Sequence, residues 1–139
     1  MESAVQLVRL VQYTLLASIA VYGVVGELLG RTHTPGDTYS YVAFLVAISI
    51  LGATLVVRRT LVLPSEELLN RKPDDSLAIA HWRTGYLFLY ALCELLGLTG
   101  LALRLLGFPL SQVFIFYMIG FLLLLLFSPR PSRRNSDKL

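Results

Sequence analysis

Four long apolar runs separated by short polar breaks account for most of the chain. Leu10 to Gly26 carries no charged residue, and with its flanks it predicts a first helix over residues 4–30. A second run opens at Ser40 or Tyr41 and reaches Val57, where Arg58 and Arg59 mark its end, so a second span is placed at 40–60. The third run extends from Thr84 to Leu103 and is interrupted only by Glu94. Its helix is expected to start near Asp75 or Ser76, where an acidic or hydroxyl side chain can cap it, and to cover 76–106. Gly107 ends it. Pro109, a favoured first helical residue, opens a fourth span over 109–127, and Pro129 closes that one. A helix crosses a bilayer with about 20 mostly apolar residues, which each run supplies with its flanks. The expected fold is therefore all-α, a four-span transmembrane helical bundle.

The breaks are polar and turn-forming. Thr34-Pro35-Gly36-Asp37 reads as a turn. Residues 60–76 form the longest connection, in which Pro64-Ser65-Glu66-Glu67-Leu68-Leu69 suits one or two amphipathic turns at the headgroups. Tyr39 and Tyr41 suit an interfacial aromatic belt, and His81, Trp82 and Arg83 fall at the opposite interface. Residues 129–139 read as a basic, disordered tail. The first run is read as an uncleaved span: it is long, weakly basic on its N-terminal side, and followed by no small-x-small cleavage site.

Composition agrees. Of 139 residues, 55% are hydrophobic and 15% charged, which leaves too little polar surface for a soluble domain of this size. The placement of basic residues sets an orientation. Arg58, Arg59, Arg71, Lys72 and Arg83 lie on the side of the middle connection, with Arg130, Arg133, Arg134 and Lys138 in the tail. The other side has only Arg31 and Arg104. By the positive-inside rule both termini are expected in the cytoplasm, with the protein in a cell (inner) membrane.

An internal repeat is visible. Shifting the first run by 77 positions puts Ala20 on Gly97, Gly23 on Gly100, Leu28 on Leu105, Leu29 on Leu106 and Gly30 on Gly107. The following runs match at a shift of 71: Ser40 on Ser111, Val42 on Val113, Arg59 on Arg130. The reading is two tandem helical hairpins in parallel orientation. Cys93, Gly97, Gly100 and Arg104 share one helical face, and their counterparts are Leu16, Ala20, Gly23 and Glu27. Small residues let membrane helices approach closely, so the first and third spans are expected to pack along these lines, with Glu27 paired to Arg104. Gly26 and Gly30 form a second close-packing site.

Glu94 is the unusual residue. An ionisable group at mid-bilayer is costly and tends to face the protein interior. Tyr90 lies one turn below it, and Ser18, Ser49 and Tyr117 fall at similar depth, so Tyr90, Ser49 and Tyr117 are the candidate partners of an ion-binding carboxyl. Two roles stay open. A protonated Glu94 can tie helices together by donating a hydrogen bond, or it can exchange a proton or cation.

The stretch Ala91-Leu92-Cys93-Glu94-Leu95-Leu96-Gly97-Leu98-Thr99-Gly100-Leu101 resembles the carboxylate-bearing helix of the rotary ATP synthase c subunit, the proteolipid. Arg71-Lys72-Pro73-Asp74 is similar to that family's polar loop. The resemblance implies an ion-binding role for Glu94. It is local: Thr99 stands where the family has tyrosine, and the second span carries Ala43, Ala47, Gly52 and Ala53 rather than alternating glycines.

Other chemistry is missing. Cys93 is the single cysteine, which excludes an internal disulfide. His33 and His81 are expected on opposite sides, so no metal site is expected, and no cofactor motif occurs. Ser18 and Ser49 have no base nearby, so catalysis is not expected. Glu66, Glu67, Asp74 and Asp75 read as a solvated acidic loop. The expectation is a non-enzymatic structural or accessory membrane subunit, with proton or cation handling as the alternative. The lipid bilayer is the partner, with further copies or other membrane subunits as candidates and no nucleic acid.

Overall fold

A computed structural model of the chain describes residues 2–30 and 36–129. Most of the first connection, with His33, and the basic tail from Arg130 onward lie outside the described residues. The helices are α1 (Glu2–Leu29), α2 (Asp37–Val57), α3 (Leu63–Arg71), α4 (Ser76–Leu105) and α5 (Leu110–Leu126). A π-helical turn, Arg58–Val62, joins α2 to α3, so Thr38–Arg71 is one unbroken helix. The fold is all-α. Three helices, Glu2–Leu29, Thr38–Arg71 and Ser76–Leu105, are long and apolar enough to cross a membrane, and α5 is a shorter apolar helix of 17 residues.

The continuation through Arg58 and Arg59 corrects the expectation that the second helix stops there. Charges end the apolar part of a helix without ending its hydrogen bonding. The π turn has a local cause in Pro64, which has no N–H and whose ring would collide with the Thr60 carbonyl in a regular α-helix. The ladder widens just before it, and the Leu63 N–H donates to the Arg58 carbonyl, five residues back. The widened turn lies against Gly85 of α4, where an added Cβ would meet Val62 at 3.0 Å.

Helix ends follow the chemistry of the connections. The Asp75 carboxylate caps α4, accepting from the Leu77 and Ala78 N–H groups at 3.0 and 3.3 Å. At its other end Gly107 takes a φ of 101°, a left-handed conformation in which glycine carries no Cβ penalty, and the Phe108 N–H reaches back to the Leu103 carbonyl. Pro109 is the residue before α5 rather than its first helical residue.

The bundle is organised around α4, which packs against α1, α2, α3 and α5. Its buried residues cover a wide arc, including Trp82, Tyr86, Leu89, Tyr90, Cys93, Leu96, Gly97, Gly100, Leu103 and Arg104. The others each bury a narrow line at spacings of three and four: Ala43, Ala47, Ile50 and Thr54 on α2, and Val113, Tyr117, Gly120 and Leu124 on α5. Large apolar side chains, such as Val24, Phe44, Ile48, Phe88 and Ile115, cover the outside. Where lipid is the solvent, burying apolar area does not by itself drive helices together, so close packing and hydrogen bonds carry the association.

The lines are set by size. Gly97 of α4 receives Ile19 and Tyr22 of α1, whose side chains would stand 3.1 and 3.4 Å from an added Cβ. Gly100 receives Tyr117 and Phe116 of α5 at 3.0 and 3.2 Å. The expected small-on-small contact between α1 and α4 is therefore corrected. Cys93, Gly97, Gly100 and Arg104 are buried, but Ala20 is exposed and Gly23 has nothing within 4 Å of an added Cβ. A groove of small residues is filled by bulky partners, and α1 turns Val8, Gln12, Ile19 and Gly26 inward instead.

Candidate functional site

Glu94 stands on α4 at the edge of its buried arc, beside α1. Its Oε1 accepts a hydrogen bond from the Tyr22 hydroxyl at 2.5 Å, joining residues 72 positions apart. Its Oε2 is shut off from the surface and has no hydrogen-bond partner among the described residues. A buried oxygen without a partner is costly, so half of this carboxyl is satisfied by the bundle and half is not.

The three expected partners do not reach it. The Tyr90 hydroxyl donates to the Phe127 carbonyl at 3.0 Å. Ser49 is exposed and returns its hydroxyl to the Leu45 carbonyl of its own helix at 2.8 Å. Tyr117 lies against Gly100 and Gly26, with its hydroxyl 3.4 Å from the Tyr22 carbonyl. Ser18 likewise bonds within α1, to the Thr14 carbonyl. Each hydroxyl has a nearer obligation. The last four carbonyls of a helix lack partners within it, and at the end of α5 Tyr90 supplies one. A serine facing outward has only its own helix to bond.

Backbone position alone does not bring Tyr22 to the depth of Glu94. In the 77-residue shift it is level with Thr99, five residues and about 7 Å beyond Glu94. Helical side chains lean toward the N-terminus, and a tyrosine is long enough to span that distance. The signal was a tyrosine about one turn further along a helix parallel to α4.

Away from Glu94 the structure joins Arg104 to Glu27: Arg104 Nε lies 3.1 Å from Glu27 Oε1. Arg104 is 8% exposed and Glu27 47% exposed. The arginine also donates from Nη1 to the Phe108 carbonyl at 3.0 Å. Its stem crosses Gly26 and Gly30, where an added Cβ would meet its Cγ at 3.2 and 3.0 Å. These two glycines make a bed for the arginine of α4, and at Gly26 the Tyr117 hydroxyl of α5 also lies 3.0 Å from an added Cβ.

At the opposite end of the bundle a second polar group ties α5 down. The buried Gln12 donates from Nε2 to the Leu124 carbonyl at 2.6 Å. The Arg58 guanidinium sits 5.0 Å over the Phe127 ring. Tyr86 donates to Glu66 at 2.7 Å, fixing α3 on α4. Trp82, Tyr86 and Tyr90 form a ladder with ring centroids 4.8 and 5.9 Å apart.

Among the described residues no three His, Cys, Asp or Glu side chains come together to hold a metal ion. Cys93 is a free, buried thiol. Glu94 and Tyr22 can lock α1 to α4, and the unpartnered oxygen leaves room in the chemistry for a proton, a water or a small cation. No family model, no curated protein and no solved structure matches the chain.

Proposed function

We propose that this chain is a non-enzymatic, multi-pass membrane protein, a structural or accessory subunit in which Glu94 serves as a helix tie. The observation that carries the reading is the Tyr22–Glu94 hydrogen bond across the seam of α1 and α4. It occupies the mid-membrane carboxyl with a partner from its own bundle, which is what an acid in hydrocarbon requires. Four helical segments, α1, the joined α2–α3, α4 and α5, cross a cell (inner) membrane with both termini in the cytoplasm. In support, Arg58, Arg59, Arg71, Lys72 and Arg83 gather around one end, whereas Arg104 at the other is held by Glu27. The Ser18 and Ser49 hydroxyls are engaged by their own helix carbonyls, which argues against a nucleophile.

A second reading, proton or cation handling as the local resemblance to the proteolipid implies, is favoured by one observation: the buried, unpartnered Glu94 Oε2. Reconstituted vesicles decide between the two. Under an imposed potential, a pH-sensitive dye inside proteoliposomes is expected to report the same proton flux for wild type and Glu94→Gln, both near the protein-free level. A flux that Glu94→Gln abolishes, together with carbodiimide labelling of Glu94 that high pH prevents, overturns the structural reading in favour of the second.

A further inference from the structure

The seam between α2 and α5 is filled at one end and open at the other. Both helices pack on α4 and make little direct contact with each other. Toward the Arg58 end, side chains close the seam: Ala47 and Ile50 of α2 meet Leu96 of α4, with Ile119 and Leu123 of α5 against them. In the first two turns of α2 and α5, at the opposite end, a cleft of about 120 Å³ remains. Its walls are apolar: Ala43, Phe44, Leu103, Phe108, Val113 and Phe116. Phe116 also borders the filled stretch and so floors the cleft. Its rim is polar. Ser40 and Gln112 line it too, both are exposed, and neither side chain has a hydrogen-bond partner among the described residues. The Ser49, Thr54 and Thr99 hydroxyls, by contrast, bond to their own helix carbonyls.

Size and lining decide what can enter. An apolar cavity of about 150 Å³ stays dry and takes a small hydrocarbon, so water is a poor occupant. Pockets for cofactors and drug-sized ligands start at about 300 Å³, well above this volume. A partner helix, about 10 Å across, is too wide to enter. A chain of methylenes meets all three limits. We propose that the cleft holds the upper part of one acyl chain of an outer-leaflet phospholipid, whose ester carbonyls accept from the Ser40 hydroxyl and the Gln112 amide. The order of groups matches. Donors stand at the end of the bundle and apolar walls lie below them, as ester and chain follow one another in the lipid. Tyr39 and Tyr41, both exposed beside Ser40, mark the same end as interfacial. The lipid chain completes packing between α2 and α5 that side chains leave unfinished. The proposal rests on the membrane-spanning reading above.

The test uses the full chain in phosphatidylcholine vesicles doped with a phosphatidylcholine that carries a photoreactive diazirine high in one acyl chain. After irradiation, adducts are mapped by peptide mass spectrometry. Phe108 is the diagnostic position, because it is 3% exposed and bulk lipid reaches it only through the cleft. Adducts are expected to concentrate on Phe108 and Phe116 over Phe88 and Ile115, which face outward elsewhere on the bundle. Ala43→Leu, which fills the cleft from α2, is expected to abolish the Phe108 adduct and keep the one on Ile115. The double variant Ser40→Ala, Gln112→Ala changes exposed groups only. It is expected to weaken the Phe108 adduct with the melting temperature unchanged. Labelling at Phe108 no denser than at Phe88 and Ile115, or labelling that either variant leaves unchanged, overturns the proposal. A chain that alkaline carbonate washes from the vesicles overturns the membrane reading instead, which separates the two failures.

Discussion

Gln12 Nε2 donates to the Leu124 carbonyl at 2.6 Å, tying the first helix to the end of the last. The end of α5 shows why the bond matters. Its final carbonyls have no partners within the helix. The Phe127 and Ser128 N–H groups cover Leu123 and Leu125, Gln12 covers Leu124, and Tyr90 covers the Phe127 carbonyl just beyond. Replacing Gln12 with Leu keeps the size and leaves a buried carbonyl bare. The expected cost is about 0.5–2 kcal/mol, read as a lower melting temperature in detergent and faster amide exchange in the last turn of α5. Unchanged exchange there would show that Gln12 does not serve as the cap.

The Arg104–Glu27 pair is expected to respond unequally to its two substitutions. Glu27 is half exposed, so water can take over its carboxylate when the arginine is removed. Arg104 is buried, and removing Glu27 leaves its charge with only the Phe108 carbonyl. Glu27→Ala is expected to destabilise by about 1–3 kcal/mol, and Arg104→Met, which still fills the bed over Gly26 and Gly30, by less. Thermal unfolding of the two variants under one set of conditions checks the order, and the reverse order would contradict it.

Glycines of the same helical character are expected to differ by their surroundings. An added methyl at Gly120 meets the Cys93 carbonyl at 3.1 Å, and at Gly100 it meets the Tyr117 ring at 3.0 Å, whereas Gly52 faces open space. Gly52→Ala is expected to be neutral or to stabilise by up to about 1 kcal/mol through helix propensity. Gly120→Ala is expected to lower the melting temperature, because a backbone carbonyl cannot turn aside as a side chain can. A Gly120→Ala variant as stable as wild type would mean that α4 and α5 are not this close.

The helices were legible because apolar runs of this length have few alternatives. What was not legible followed from local geometry. Arg58 and Arg59 looked like a stop, yet a helix passes through charges readily and was only widened by Pro64. The α4 line of Cys93, Gly97, Gly100 and Arg104 could be read from spacing, since α4 is surrounded. Its α1 counterpart was placed one residue off, because small residues were matched with small ones when the groove takes Ile19 and Tyr22. Gln12 is a single amide in an apolar run, and its partner is a backbone atom that no sequence pattern marks. Tyr22 was hidden by the length and lean of its own side chain.

The proposed helix tie requires that Glu94 be held from within the bundle by Tyr22. A double-mutant cycle with Tyr22→Phe, Glu94→Leu and the combined variant, followed by equilibrium unfolding in mixed micelles, measures that link directly. A coupling of about 0.5–2 kcal/mol is expected, the range for hydrogen bonds between membrane helices. Effects that add with no coupling would contradict it and leave the carboxyl without its partner.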